Sequence, residues 1–142
     1  MIVIVDASVA AKWFFGEEYS EAALCLLGNP FELHIPEFFF LEIDSILSKR
    51  IHRRELSEVE ALEIHDEVRS IPIQSYPTFD LLERAFEMVL ETGQSVYDCI
   101  YLALAEALEG RMVTADRSFF LALQGSPLDD YILWIEDLAK EK

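Results

Sequence analysis

Four acidic residues stand where an apolar pattern gives them no obvious place. Asp6 ends the run "IVIV", Asp116 follows "RMVT" by two positions, Glu42 sits inside "FFFLEIDSIL", and Asp98 lies near the start of the otherwise apolar "SVYDCIYLALA". A buried carboxylate left uncompensated is costly, so each must cap a helix, be paired or bind something. Caps are open to three of them: Asp6 and Asp116 can cap helices that begin just after them, and Ser95 to Asp98 has the spacing of a capping box. Glu42, several residues inside its helix, has no such use. Taken jointly the four predict more, because like charges packed together raise one another's pKa and oppose folding unless a cation neutralises them. All-oxygen ligation selects a hard ion, so Mg²⁺ or Mn²⁺ is expected. Such an ion acidifies a bound water and stabilises charge on phosphoryl oxygens, which is the chemistry of phosphodiester hydrolysis. No separate His or Lys base is needed. Ser8 and Thr114, each two residues from an acid, can orient a carboxylate or a water, or simply cap and pack. Asp44 lies two positions after Glu42, about 200° round the helix, and is not expected to join the site.

The acids meet only if the elements carrying them converge. "IVIV", "FELHI", "PIQSY", "RMVT" and "YILWIEDL" read as strands, and the segments between them carry helical spacing. Those helices are "SVAAKWFF", "EEYSEAALCLLGN", "EFFFLEIDSILSKRIHRR", "LSEVEALEIHDEVRSI" with a Ser57 to Glu60 capping box, "TFDLLERAFEMVLETG" stopped at Gly93, the helix of Asp98, and "RSFFLAL". Strands separated by helices imply an α/β fold of three layers, a central, mainly parallel sheet of about five strands flanked by helices. In such sheets ligands bind beyond the carboxyl ends of the strands, at the point where the strand order reverses. Asp6 and Asp116 then share one crevice if their strands are neighbours.

The bulk properties frame this reading. At 142 residues, with 52% hydrophobic residues and only five glycines and five prolines, the chain suits a single domain over residues 1–142 without low-complexity linkers. "MIVIV" is too short to span a membrane and lacks a basic flank and a cleavage site, so a cytoplasmic protein with no membrane partner is expected. Cys25 and Cys99 share no metal or redox spacing and read as reduced packing residues. His34, His52 and His65 share no ligand spacing either. The net charge of −16, from 27 acids and 11 bases, repels nucleic acid over most of the surface. The local exception is "KRIHRR" (residues 49–54), which either complements a helix macrodipole or contacts phosphate or a protein partner.

The four motifs, in this order and spacing, resemble the PIN-domain nucleases, and among them the VapC-type toxins of prokaryotic toxin–antitoxin pairs. "IVIVDASVAAKWF", "PEFFFLEIDSIL", "QSVYDCIYLALAEAL" and "RMVTADRSF" carry the likeness across nearly the whole chain. The resemblance implies a Mg²⁺- or Mn²⁺-dependent endoribonuclease in which Asp6, Glu42, Asp98 and Asp116 form the acidic metal-binding quartet and Thr114 is a polar neighbour. It also implies a homodimer, an RNA substrate and a cognate antitoxin protein. Where the family often carries Asn, three residues after the second acid, this chain has Ser45. Two other readings compete. A non-catalytic interaction module of the same fold suits the acidic surface. Aspartyl-phosphate chemistry on Asp6 lacks the second Asp two positions on, where Ser8 stands, and lacks a receiver's adjacent acidic pair and late-strand Lys.

Overall fold

In the computed structural model, which describes residues 1–142, five strands form one sheet with every neighbouring pair parallel. They are β1 (Ile2–Val5), β2 (Glu32–Pro36), β3 (Ile73–Tyr76), β4 (Arg111–Thr114) and β5 (Ile132–Trp134), in the order β3-β2-β1-β4-β5. Parallel neighbours require crossovers, and the helices supply them: α1 (Ala7–Ala11), α2 (Ser20–Leu24), α3 (Phe38–His52), α4 (Glu58–Ser70), α5 (Leu82–Thr92), α6 (Val96–Leu108) and α7 (Arg117–Leu123). From β1 the chain walks outward through β2 to β3, then returns to the far side of β1 as β4 and β5. The order therefore reverses between β1 and β4, where Val5 sits level with Val113. Asp6 and Asp116, which follow these two strands, therefore stand at the same edge of the sheet.

The strands are apolar on both faces because both are covered. Val3, Ile4 and Val5 of β1 and Met112 and Val113 of β4 are fully buried. Burying one such side chain contributes roughly 1.5–3 kcal/mol, as an upper estimate. Helix α6 packs on β1, β2 and β4 and also against α5, which explains why Cys99 to Ala105 are buried without interruption. Between α6 and β4, Glu109 takes a left-handed φ of 53° and Gly110 follows. A Cβ at Gly110 would lie 2.8 Å from the Ile2 carbonyl oxygen, so only glycine lets this turn pass the start of β1.

Four segments depart from their sequence-based bounds. "TFDLLERAFEMVLETG" opens as a 3₁₀ turn over Thr78–Leu81 before α5 begins at Leu82. Helix α1 stops at Ala11, although the apolar spacing continues through Trp13, Phe14 and Phe15. Those rings pack on the core from a turn, with Trp13 Nε1 donating to the Ala23 carbonyl at 2.9 Å. "EEYSEAALCLLGN" keeps only Ser20–Leu24 as α-helix, followed by a 3₁₀ turn over Cys25–Leu27. "YILWIEDL" is strand only to Trp134 and continues as a 3₁₀ helix over Ile135–Glu141. Ile135 and Leu138, three apart, are its buried residues, a spacing that eclipses side chains in a 3₁₀ helix. No helix is long and apolar enough to cross a membrane.

Candidate active site

Asp6 follows β1 directly and caps α1: its Oδ1 accepts the Val9 N–H at 2.8 Å and the Ser8 hydroxyl at 2.9 Å. Capping and chemistry were alternatives for this residue, and the geometry leaves room for both. The cap uses one oxygen only, and since no buried side-chain oxygen lacks a partner, Oδ2 keeps access to solvent. Ser8 thus helps to hold that one oxygen in place. Asp116 likewise caps α7, with Oδ1 accepting the Phe119 N–H at 3.0 Å, while its own N–H donates to Thr114 Oγ1 at 3.0 Å. Thr114 is 1% exposed and so fixes the backbone that presents Asp116.

Asp98 shows half of the anticipated capping box. Its N–H donates to Ser95 Oγ at 3.2 Å, but its carboxylate takes the Ser95 hydroxyl at 3.1 Å rather than reaching back to the Ser95 N–H. Glu42, half-buried on α3, has no cap to make; its Oε1 accepts the Tyr101 hydroxyl at 2.6 Å. Each of the four carboxylates is therefore held by one oxygen and keeps a second.

Asp6, Glu42 and Asp98 line one cavity of roughly 470 Å³, together with Ser8, Ser45 and Lys49 and the rings of Phe38, Tyr97 and Tyr101. Asp116 is exposed and does not line it. Its charge nevertheless acts on Asp98, raising that carboxyl. Asp44, as its helical angle indicates, faces away: it takes His65 Nδ1 at 2.6 Å and lies 3.6 Å from Arg69 between α3 and α4. The run 49–54 is split by the fold. Arg50 lies over the Phe15 ring and pairs with Glu17 at 2.9 Å, and only Lys49 lines the cavity.

The electrostatics are those of a crowded acid site. Burial, opposed by the Val9 and Ser8 hydrogen bonds and reinforced by Asp98 and Glu42, pushes the Asp6 carboxyl up to about 6. Glu42 is raised by burial first and by Asp98, against the Tyr101 hydrogen bond and Lys49. Asp98 is raised by burial and by Asp116, against Ser95. As they stand, no three His, Cys, Asp or Glu side chains are gathered into a set able to grip a metal unaided. Hard divalent ions do not need one, since Mg²⁺ commonly keeps several waters and takes one or two carboxylates. The donor set, all oxygen and short of positive charge, fits such an ion.

Tyr101 is the residue that reading the sequence for acids and their near neighbours passed over. It is buried, its hydroxyl is spent on Glu42, and its ring packs on Phe38 with centroids 5.0 Å apart. The signal available was spacing: it follows Asp98 by three residues and so shares its helix face.

The PIN-domain family model matches residues 3–122. Ribonuclease VapC3 of Pyrobaculum aerophilum is 35% identical over 121 residues, covering 82% of this chain and 91% of its own length. Ribonuclease VapC9 of Mycobacterium tuberculosis is 30% identical over 115 residues, covering 81% and 86%. Among solved structures, Mycobacterium tuberculosis VapC20, described as a toxin that cleaves the sarcin-ricin loop, superposes with a TM-score of 0.65 at 19% identity, over 84% of this chain and 94% of that one. VapBC2 of Rickettsia felis, bound to a promoter DNA fragment, gives 0.66 at 14% identity over 94% and 98%. At those identities the structures speak for the fold.

Proposed function

The chain belongs to the PIN-domain family, and on that premise we propose that it is a Mg²⁺- or Mn²⁺-dependent endoribonuclease, the toxin of a toxin–antitoxin pair. The observation that carries this reading is the meeting of Asp6, Glu42 and Asp98 on one cavity wall beside the reversal of the sheet. When bound, the divalent ion supplies acidification of a water and neutralisation of charge on the phosphoryl oxygens. Asp6, Asp98 and Glu42 would hold it with the oxygens left over from their hydrogen bonds, and Asp116 would complete the set from the rim. Ser8 and Thr114 orient Asp6 and the Asp116 backbone. Tyr101 fixes the Glu42 carboxylate by donating to one oxygen, which leaves the other to orient a water or an ion. Phe38 and Tyr97 give the cavity an apolar flank against which a nucleobase can stack.

The partners in this reading are RNA, a cognate antitoxin protein and a second copy of the chain. Support for the homodimer lies on α5 and the turn before it, where Phe79, Leu82, Phe86 and Leu90 are exposed. Leu82, Phe86 and Leu90 are four apart and Phe79 precedes Leu82 by three, so they form one stripe that a second copy would cover. Phe86→Glu should then yield a monomer by light scattering. A cytoplasmic setting suits the two free cysteines.

The deciding experiment is incubation of the purified chain with RNA in Mg²⁺, in Mn²⁺ and in chelator. Cleavage with 5′-phosphate ends in the first two alone is the expected result. Intact RNA together with no heat of Mg²⁺ or Mn²⁺ binding at millimolar concentration would instead establish the non-catalytic module.

A further inference from the structure

A chain of net charge −16 that binds RNA must place its few free cations well. Of the 11 lysines and arginines, Lys12, Arg50, Arg69, Arg84, Arg111 and Lys140 lie within ion-pair range of a carboxylate. Arg117 is stacked on the Trp134 ring at 4.7 Å. Arg53 and Arg54 stand past the last residue of α3, and Lys142 ends the chain. Lys49 is the one cation on the wall of the acidic cavity, and it makes no ion pair there with Asp6, Glu42 or Asp98.

Its position along α3 is informative. Glu42, Ser45 and Lys49 all line the cavity, at intervals of three and four residues that keep them on one helical face. Seven residues separate the Glu42 and Lys49 backbones by about 10.5 Å along the axis. The ammonium lies on the cavity wall without an ion pair to any of its acids, and is rooted two turns of α3 beyond Glu42, so it is free for a phosphate beside the one held at the acids. Resting on the RNA-cleavage reading, we infer that Lys49 binds a backbone phosphate flanking the scissile one and so sets the register of the RNA on the carboxylates. Ser45, between them, offers a hydroxyl on the same path. The competing role for Lys49 is purely structural, a base complementing the carboxyl end of α3. A phosphate contact differs from it by releasing counterions from the RNA, which makes binding salt-dependent.

The test measures binding of a short single-stranded RNA to the Asp98→Asn chain, by fluorescence anisotropy across a range of NaCl concentrations, with and without Lys49→Met. Met keeps the aliphatic stem and removes the charge. Lys49→Met should weaken binding by roughly tenfold at low salt and make the slope of log affinity against log salt shallower by about 0.7. Lys49→Arg should restore the slope. An unchanged slope in Lys49→Met, or no RNA binding by the Asp98→Asn chain, overturns the assignment. Failure of the nuclease reading has a different signature: a wild-type chain that binds RNA with this salt dependence yet leaves it uncut in Mg²⁺ and Mn²⁺.

Discussion

Between α5 and α6 the Arg84 guanidinium gathers three carboxylates, with Glu106 at 2.7 and 3.0 Å and Glu87 and Glu91 at 3.1 Å. At the carboxyl edge of the sheet Asp6, Glu42 and Asp98 close round a cavity whose only cation, Lys49, pairs with none of them. The consequences run in opposite directions. Glu106 is held below the usual range for a glutamate by the Arg84 hydrogen bond, whereas burial first, and then neighbouring carboxylates, hold all three cavity acids above theirs. One cluster carries its own cation and is structural. The other is short of positive charge, which is the imbalance that the proposed divalent ion would relieve.

The largest effect that would test this contrast is on cleavage. Loss of an outer partner of a metal ligand costs roughly 10–100-fold, so loss of a direct carboxylate should cost more. Asp98→Asn keeps the backbone N–H that donates to Ser95 Oγ and should lower the rate of RNA cleavage by more than about 100-fold with the thermal transition unchanged. Cleavage within a few-fold of wild type would remove Asp98 from the site and dissolve the distinction between the two clusters.

The next effect is on stability, and its sign is unusual for a carboxylate. With Asp6 pushed from 3.8 to about 6, the folded chain holds this proton more tightly than the unfolded chain. Its contribution is most favourable below the unfolded value and is lost as pH rises through about 6. Without divalent ions the loss is about 3 kcal/mol across that window. Asn at this position can still accept from Val9 and Ser8, so Asp6→Asn should match wild type near pH 4 and exceed its Tm at pH 7.5. Millimolar Mg²⁺ should narrow the gap by raising wild type alone. An equal offset at both pH values would show that Asp6 carries no such penalty.

Arg84 supplies the converse. Arg84→Met leaves Glu87, Glu91 and Glu106 facing one another, but at a third of its side-chain surface exposed solvent screens much of the repulsion. A loss of about 1–2 kcal/mol in urea unfolding is expected, with RNA cleavage unaffected. A comparable loss of cleavage would mean that the two clusters are coupled through α6.

The strands and the four acids stood out in the sequence because each breaks a local rule: an apolar run halted by a charge after β1 and β4, and a carboxylate inside an apolar helix at Glu42. Asp98 was legible for the same reason, yet the sequence could not say that its carboxylate would turn from the Ser95 N–H to the Ser95 hydroxyl. The neighbourhood of β1 and β4 had to be assumed, since parallel pairing between residues more than a hundred apart leaves no local trace. Trp13 to Phe15 kept a helical spacing beyond the helix because burial, not hydrogen bonding, selects apolar residues. Lys49 could not be separated from Arg50 within one basic run; the fold turned the second toward Glu17 and Phe15 and left the first on the cavity. Asp116 was grouped with the other acids, and only the structure shows that it stands outside the cavity wall.

The smallest expected effect lies with Tyr101, whose partner Glu42 is 59 residues away in sequence. The hydroxyl lowers the Glu42 pKa against burial and Asp98, so Tyr101→Phe should let it rise further while the ring goes on packing against Phe38. A carboxylate with a higher pKa is protonated over more of the acid range and binds a cation less well there. Cleavage by Tyr101→Phe should therefore fall by up to roughly tenfold on the acid limb of the pH–rate profile and match wild type on its plateau, with that limb displaced upward. A uniform loss at every pH would instead assign Tyr101 to packing and leave the orientation of Glu42 to its helix alone.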